Sequence, residues 1–145
     1  MNSKYCSIYV SSETLAIVTW YQREFSHFVE GKPVWTFKKS EVSRELLKET
    51  IIKSLNESRV MKEKEYQVHS IDSDLRKLLK VSSYKKLMTY EQFVIELSNE
   101  SLNFAPWVYQ HGKRWRTEDL KNKFRYGINE LDSLVDRVFM LLKIQ

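Results

Sequence analysis

A chain of 145 residues with 42% hydrophobic and 30% charged residues has globular proportions, which exclude a disordered segment and a coiled coil and leave room for one domain with a sizeable core. Its net charge of +5, from 24 basic against 19 acidic residues, is compatible with an acidic partner or with nucleic acid and identifies neither. A single cysteine, Cys6, excludes an internal disulfide and sits in an apolar run where a buried thiol is expected, which fits a reducing compartment.

Lys4 to Val10 mixes β-branched and aromatic residues, polar Ser11-Ser12-Glu13 follows, and a second such run covers Thr14 to Tyr21, so the spacing predicts two strands and a hairpin. Phe25 to Val29 continues in the same character. Glu30-Gly31-Lys32-Pro33 then breaks the pattern, and Val34 to Phe37 restarts it as a third strand.

The stretch from Ser40 to Arg59 is the strongest helix signal. Val42, Leu46, Leu47, Ile51 and Leu55 recur on one face while Glu41, Arg44, Glu45, Lys48 and Glu49 fill the other. Ser40 is placed to cap its first turn, with Glu41 and Glu45 near the positive end of the helix dipole and Arg59 near the negative end. The mixed-sign run Lys62-Glu63-Lys64-Glu65 reads as a solvated loop or helix end. Tyr66 to Ile71 reads as a short strand, and Asp72 can cap a brief helix carrying Leu75, Leu78 and Leu79.

From Tyr84 to Glu100 two signals compete. Thr89 and Gln92 have capping-box spacing, but Phe93, Ile95 and Leu97 alternate, which favours a strand from Gln92 to Ser98. Leu102 to Gln110 is a returning strand in which Pro106 cannot donate a ladder hydrogen bond and so belongs at an edge or bulge. After Gly127, a natural breaker, Ile128, Leu131, Leu134, Val135, Val138, Phe139 and Leu142 fall on one face of a closing helix. The class expected is α+β (mixed α/β): a single domain over residues 1–145, with a central, mostly antiparallel sheet packed by two main amphipathic helices.

No catalytic pattern stands out. His27, His69 and His111 are far apart, there is no HExxH, and no Cys or His pair has zinc-ligand spacing. Three isolated glycines supply neither GxGxxG nor GxxxxGK, and no serine sits in GxSxG. An enzyme built from distant residues such as His69, His111 and Glu96 is a third-ranked alternative. Neither a cofactor nor a metal is expected. No segment has the basic start and apolar run of a signal peptide, and no apolar run is long enough to span a bilayer, so a cytoplasmic location is expected.

Trp107 to Tyr126 interleaves Lys113, Arg114, Arg116, Lys121, Lys123 and Arg125 with Trp107, Tyr109, Trp115, Phe124 and Tyr126. Such a mixture can clamp phosphates and stack bases, can form a protein interface, or can be ordinary core aromatics beside solvated charges.

Four segments together resemble the immunity proteins of bacterial contact-dependent growth inhibition systems: TIIKSLNESR from Thr50 to Arg59, LLKVSSYKKLMTYEQF from Leu78 to Phe93, NFAPW from Asn103 to Trp107, and the closing helix after Gly127. The resemblance implies a small cytoplasmic antidote that binds the cognate C-terminal toxin domain of its own system, often a nuclease, and blocks it. It carries over no binding residue, because the matching positions look like scaffold. The positive net charge departs from the simplest picture, an acidic mimic of nucleic acid. An inhibitor acting by binding is therefore expected, with Trp107, Tyr109, Arg114, Trp115 and Arg116 as its toxin contacts: aromatics as anchors, arginines as partners for carboxylates. A small basic nucleic-acid-binding module is the alternative.

Overall fold

The computed structural model describes residues 3–23, 28–62, 64, 75–109 and 115–144. Its frame is an eight-stranded sheet. Strands β1 (Lys4–Val10), β2 (Thr14–Arg23) and β3 (Phe28–Lys38) form an antiparallel meander. Helix α1 (Arg44–Glu57) follows, then the two-residue strand β4 (Val60–Met61), which pairs with β2 in parallel. Two short helices, α2 (Leu75–Leu79) and α3 (Tyr84–Leu87), precede β5 (Glu91–Ser98) and β6 (Ser101–Tyr109). Strands β7 (Arg116–Glu118) and β8 (Phe124–Gly127) both pair with β6, and helix α4 (Leu131–Ile144) closes the chain. The order across the sheet is β3-β2-β1-β5-β6-β7, so the two meanders join through the antiparallel β1–β5 pair. The α+β class expected from the sequence is the one found.

Alternation along each strand sorts side chains onto two faces. Cys6, Ile8 and Val10 on β1, Leu15 and Ile17 on β2, Phe93 and Ile95 on β5, and Leu102 and Phe104 on β6 point to one side. There they meet Leu47, Ile51 and Leu55 of α1 and Leu134, Val135, Val138 and Leu142 of α4 in the main core. Each such side chain contributes about 1.5–3 kcal/mol when fully buried. Cys6 lies in that core, where burial pushes its thiol up to about 12. It is protonated and unreactive at neutral pH.

Several boundaries differ from those the sequence predicts, each for a local reason. Helix α1 begins three residues later than a Ser40 cap would place it, because Lys39–Glu41 form a 3-10 turn and buried Val42 is extended. Ser43 is the cap, accepting from the Leu46 N–H at 3.1 Å. The helix ends at Glu57, leaving Arg59 beyond it, its guanidinium 5.8 Å from the Tyr21 ring centroid. Its buried face includes Thr50 and Ser54, whose hydroxyls are satisfied by the Leu46 carbonyl and by Thr19.

Glu30 to Pro33 do not interrupt the third strand. Val18 pairs with Val34 and Thr19 with Gly31, so Lys32 and Pro33 bulge out of the ladder, where the missing proline N–H is tolerated. Pro106 sits in a strand with neighbours on both sides, yet its carbonyl accepts from the Asp119 N–H in the gap between β7 and β8. N–H and C=O of one strand residue point the same way, so its nitrogen also faces that gap. The strand predicted at Tyr66 to Ile71 and the Asp72 cap lie outside the described residues. Thr89 starts no helix; it donates its hydroxyl proton to the Lys86 carbonyl at the end of α3. The closing helix starts after a 3-10 turn at Ile128–Glu130, which leaves Ile128 46% exposed instead of on the buried face.

Candidate functional site

Among the described residues the second face of the sheet is only partly covered. Leu78 and Leu79 of α2 and Leu87 of α3 pack with Tyr90 over Tyr9, Ala16 and Val18, closing one end of it. Beyond them the strand registers build a different surface. Tyr9 pairs with Gln92, Gln92 with Trp107 and Trp107 with Glu118, making one row across four strands. Tyr109 pairs with Arg116 and Trp20 with Glu30, which brings both pairs to the same face. Tyr9, Gln92, Trp107 and these two pairs, with Tyr84 and Leu87 of α3, line a cavity of about 270 Å³. A second hollow of about 250 Å³, lined in part by Met88, Pro106 and Val108, shares Gln92, Trp107, Tyr109 and Arg116 with it.

Glu30 is one of the lining residues of the first cavity. Both its oxygens accept from the Tyr9 hydroxyl, at 2.9 and 2.7 Å. Ser7 accepts from the Trp20 indole and from the Gln92 amide. Loss of water around the Glu30 carboxyl raises its pKa, opposed by the donors Tyr9, Ser7 and Trp20 and by the charge of Arg116. Burial also raises the Tyr9 hydroxyl well above its ordinary value, and the Glu30 charge adds to that. The guanidinium of Arg116 lies 4.5 Å from the Tyr109 ring centroid and 6.0 Å from that of Tyr9, and donates to the Tyr90 carbonyl. The Trp107 indole N–H is buried and has no acceptor among the described residues. Its ring meets Trp20 edge-on at 5.5 Å.

A second tyrosine–glutamate pair lies along the same face. The Tyr5 hydroxyl donates to Glu96 at 2.9 Å, and its pKa is pushed up to about 12 by burial and by the hydrogen bond and charge of Glu96. Tyr5 stacks on Trp20 and meets Phe28 edge-on. The open face is thus an aromatic surface with carboxyls set into it.

Of the residues expected at the contact, Trp107, Tyr109 and Arg116 are brought together here. Trp115, 59% exposed, is next to Arg116 in the chain but does not line the cavity, and Arg114 lies outside the described residues. The Trp107 to Tyr126 stretch divides between faces: Phe124 and Tyr126 pair with Phe104 and Leu102 on the helix side, where Arg137 of α4 lies over the Phe124 ring and donates to the Tyr126 hydroxyl. No motif in the sequence marks Tyr9, Trp20, Glu30 and Tyr84 as site residues, and Gln92 stands out there only for its capping-box spacing from Thr89. The signal available was the alternation Tyr5, Ser7, Tyr9 against Cys6, Ile8, Val10, which puts polar aromatics on a second face. His27, His69 and His111 are outside the described residues, so of the three groups considered for an enzyme only Glu96 has a known setting, held by Tyr5 and Asn103. Among the described residues no three His, Cys, Asp or Glu side chains are grouped to hold a metal, and no helix is long and apolar enough to cross a membrane.

No family model matches the chain, and no curated protein matches it. Solved structures do. A protein of unknown function from Neisseria meningitidis superposes with a TM-score of 0.70 at 14% identity, over 97% of this chain and 93% of that one. A chain of the CdiA-CT/CdiI toxin and immunity complex from Yersinia pseudotuberculosis superposes with a TM-score of 0.68 at 13% identity, over 98% of this chain and 96% of that one. At these identities the likeness is one of fold.

Proposed function

We propose that the chain is an immunity protein of the contact-dependent growth inhibition type, which binds a cognate toxin domain in the cytoplasm and neutralises it without catalysing a reaction. The observation that carries this reading is the fold, which follows a chain of a toxin and immunity complex from end to end. The open face supplies a surface of the required kind. Tyr84, Met88 and Val108 are exposed around the cavity, with Trp115 next in sequence to Arg116. Large aromatics and arginine around a partly desolvated floor are the composition of interface anchors. An interface of about 800 Å² per partner is typical for a specific complex. The nucleic-acid alternative is less well supported by this face, because Glu30 and Glu96 are set among the aromatics where phosphates would have to lie.

Co-expression with the toxin domain encoded immediately upstream tests the reading: a stoichiometric complex and loss of toxicity are expected. With that complex in hand, replacing Trp115 and Arg116 together by Ala weakens binding by about tenfold or more if they are anchors. Unchanged affinity removes the Trp115–Arg116 patch as the contact.

A further inference from the structure

The positive excess of the chain is concentrated in one place. Leu75 to Tyr90, which span α2 and α3, carry Arg76, Lys77, Lys80, Lys85 and Lys86 and no acidic residue, so they account for the whole net charge of +5 and the rest of the chain is balanced. These helices close one end of the open face, and Tyr84 and Leu87 of α3 line its cavity. Where α2 meets β3, Lys77 and Lys80 join Lys32 around a hollow of about 630 Å³. Neither a carboxylate nor an aromatic ring is among the described residues that line it. Like charges so placed add their fields in the recess and draw anions to it.

The backbone gives a second, independent sign. Lys80 has φ 57°, in the left-handed region, at the end of α2, where its N–H reaches the Lys77 carbonyl at 3.2 Å and the Val81 N–H reaches that of Arg76 at 2.9 Å. Helix ends of this kind ordinarily use glycine or asparagine, because a larger side chain is strained there. Asn99, the other non-glycine residue with positive φ among the described residues, follows that preference, and Lys80 does not. Favourable charge at the helix end does not explain the lysine, since Arg76 and Lys77 already supply it in the last turn. A lysine held there at a cost places an ammonium group at the hollow, which glycine would not.

We propose that the α2–α3 end of the open face, centred on Lys32, Lys77 and Lys80, docks an acidic segment of the toxin domain, its Asp and Glu carboxylates against these ammonium groups. The assignment rests on the immunity reading and accounts for the basic charge of the chain, which is gathered where an acidic partner would be received. Protein is favoured over nucleic acid, because no ring lines the hollow to stack a base and the Tyr84 ring already carries the Arg76 guanidinium at 4.1 Å. Exposed charges of this kind act mainly on the rate of association, and salt screens them.

The test measures association and dissociation by surface plasmon resonance, with toxin domain separated from the co-purified complex, at about 0.05 M and about 0.5 M salt. The variants are Lys80→Glu, Lys80→Gly and, as a control of equal charge on the opposite face, Lys53→Glu on α1. Lys80→Glu is expected to slow association about tenfold at low salt and by less than about twofold at high salt. Lys80→Gly is expected to slow it by about threefold or more while its urea midpoint equals or exceeds that of wild type, because glycine relieves the backbone. Wild-type association in Lys80→Gly, or equal slowing in Lys53→Glu and Lys80→Glu, overturns the proposal. A second arm titrates the free protein at low salt with labelled hexaglutamate and with an RNA single strand of the same charge, reading fluorescence anisotropy. Saturable peptide binding that Lys80→Glu removes is expected; no peptide binding, or tighter RNA binding lost in the same variant, overturns the acidic protein segment as occupant. If wild type binds no toxin domain, the immunity reading falls, and hexaglutamate shows separately whether this surface takes carboxylates.

Discussion

The two faces of the sheet are built from the same strands, often from adjacent residues, and differ in almost everything else. The helix-covered face is mainly apolar, with Ile8, Ile17, Ile95 and Leu134 fully buried and the hydroxyls of Thr19, Thr50 and Ser54 paired among them. The opposite face interleaves buried Ser7, Tyr9 and Gln92 with Val18 and Val94, and sets the Glu30 carboxyl against the Tyr9 hydroxyl. One face therefore supplies stability through area removed from water, while the other keeps polar groups satisfied one by one. The second arrangement contributes less to folding than an apolar one would. A surface that tolerates such groups is where a function needing charge and hydrogen bonds is to be sought.

The largest effect should come from the closed face. Ile51→Ala removes a fully buried side chain between α1 and the sheet, with an expected loss of about 2–5 kcal/mol in urea unfolding. That loss should be the same at every pH where the protein is folded. On the open face, Tyr9→Phe keeps the ring and removes the donor to Glu30, with an expected loss of about 1–3 kcal/mol. Here pH matters, because the lost hydrogen bond favoured the ionised carboxyl; the loss should be greater above the Glu30 pKa than below it. A pH-independent loss for Tyr9→Phe would mean that the two faces do not differ in the way described.

Glu30→Gln sharpens the contrast further. Burial raises the folded-state pKa of this carboxyl above its ordinary value of 4.5, so the native state holds a proton that the unfolded chain gives up. Wild-type stability therefore falls as pH rises from the ordinary carboxyl range through the raised folded value. Glutamine removes that contribution, and its urea midpoint should decline less over the same range. Parallel profiles for the two proteins would show that Glu30 ionises as readily folded as unfolded.

The closed face was the legible part of the chain. Its periodicities are carried by Ile, Leu and Val, which have few roles other than burial, so β1, β5 and the two long helices were found within a few residues. The open face was not legible, because Glu30 beside Gly31 and Pro33 has the composition of a turn and only the bulge opposite Val18 and Thr19 makes it a strand residue. Strands β7 and β8 carry no sequence signal for a related reason: each is short and charged, and each is a strand only because β6 is there to pair with it. The site inherits both difficulties. Trp107, Tyr109 and Arg116 were visible as a local mixture, whereas their partners Tyr9, Trp20 and Glu30 come from strands far away in sequence, joined to them by register alone.

The smallest effect should come from the seam where α1 meets α4. Lys48 reaches Asp132 at 2.8 Å and Arg44 reaches Asp136 at 3.2 Å, but all four side chains are largely in water. Solvent weakens their attraction and holding long side chains in place costs entropy, so Lys48→Met should change stability by about 0.5 kcal/mol or less, and by still less in high salt. Equal urea midpoints for wild type and Lys48→Met at two salt concentrations are the expected observation. A loss comparable to that of Ile51→Ala would mean that the helix pair is clamped by charge at its rim, and that the closed face does not owe its stability to apolar packing beneath.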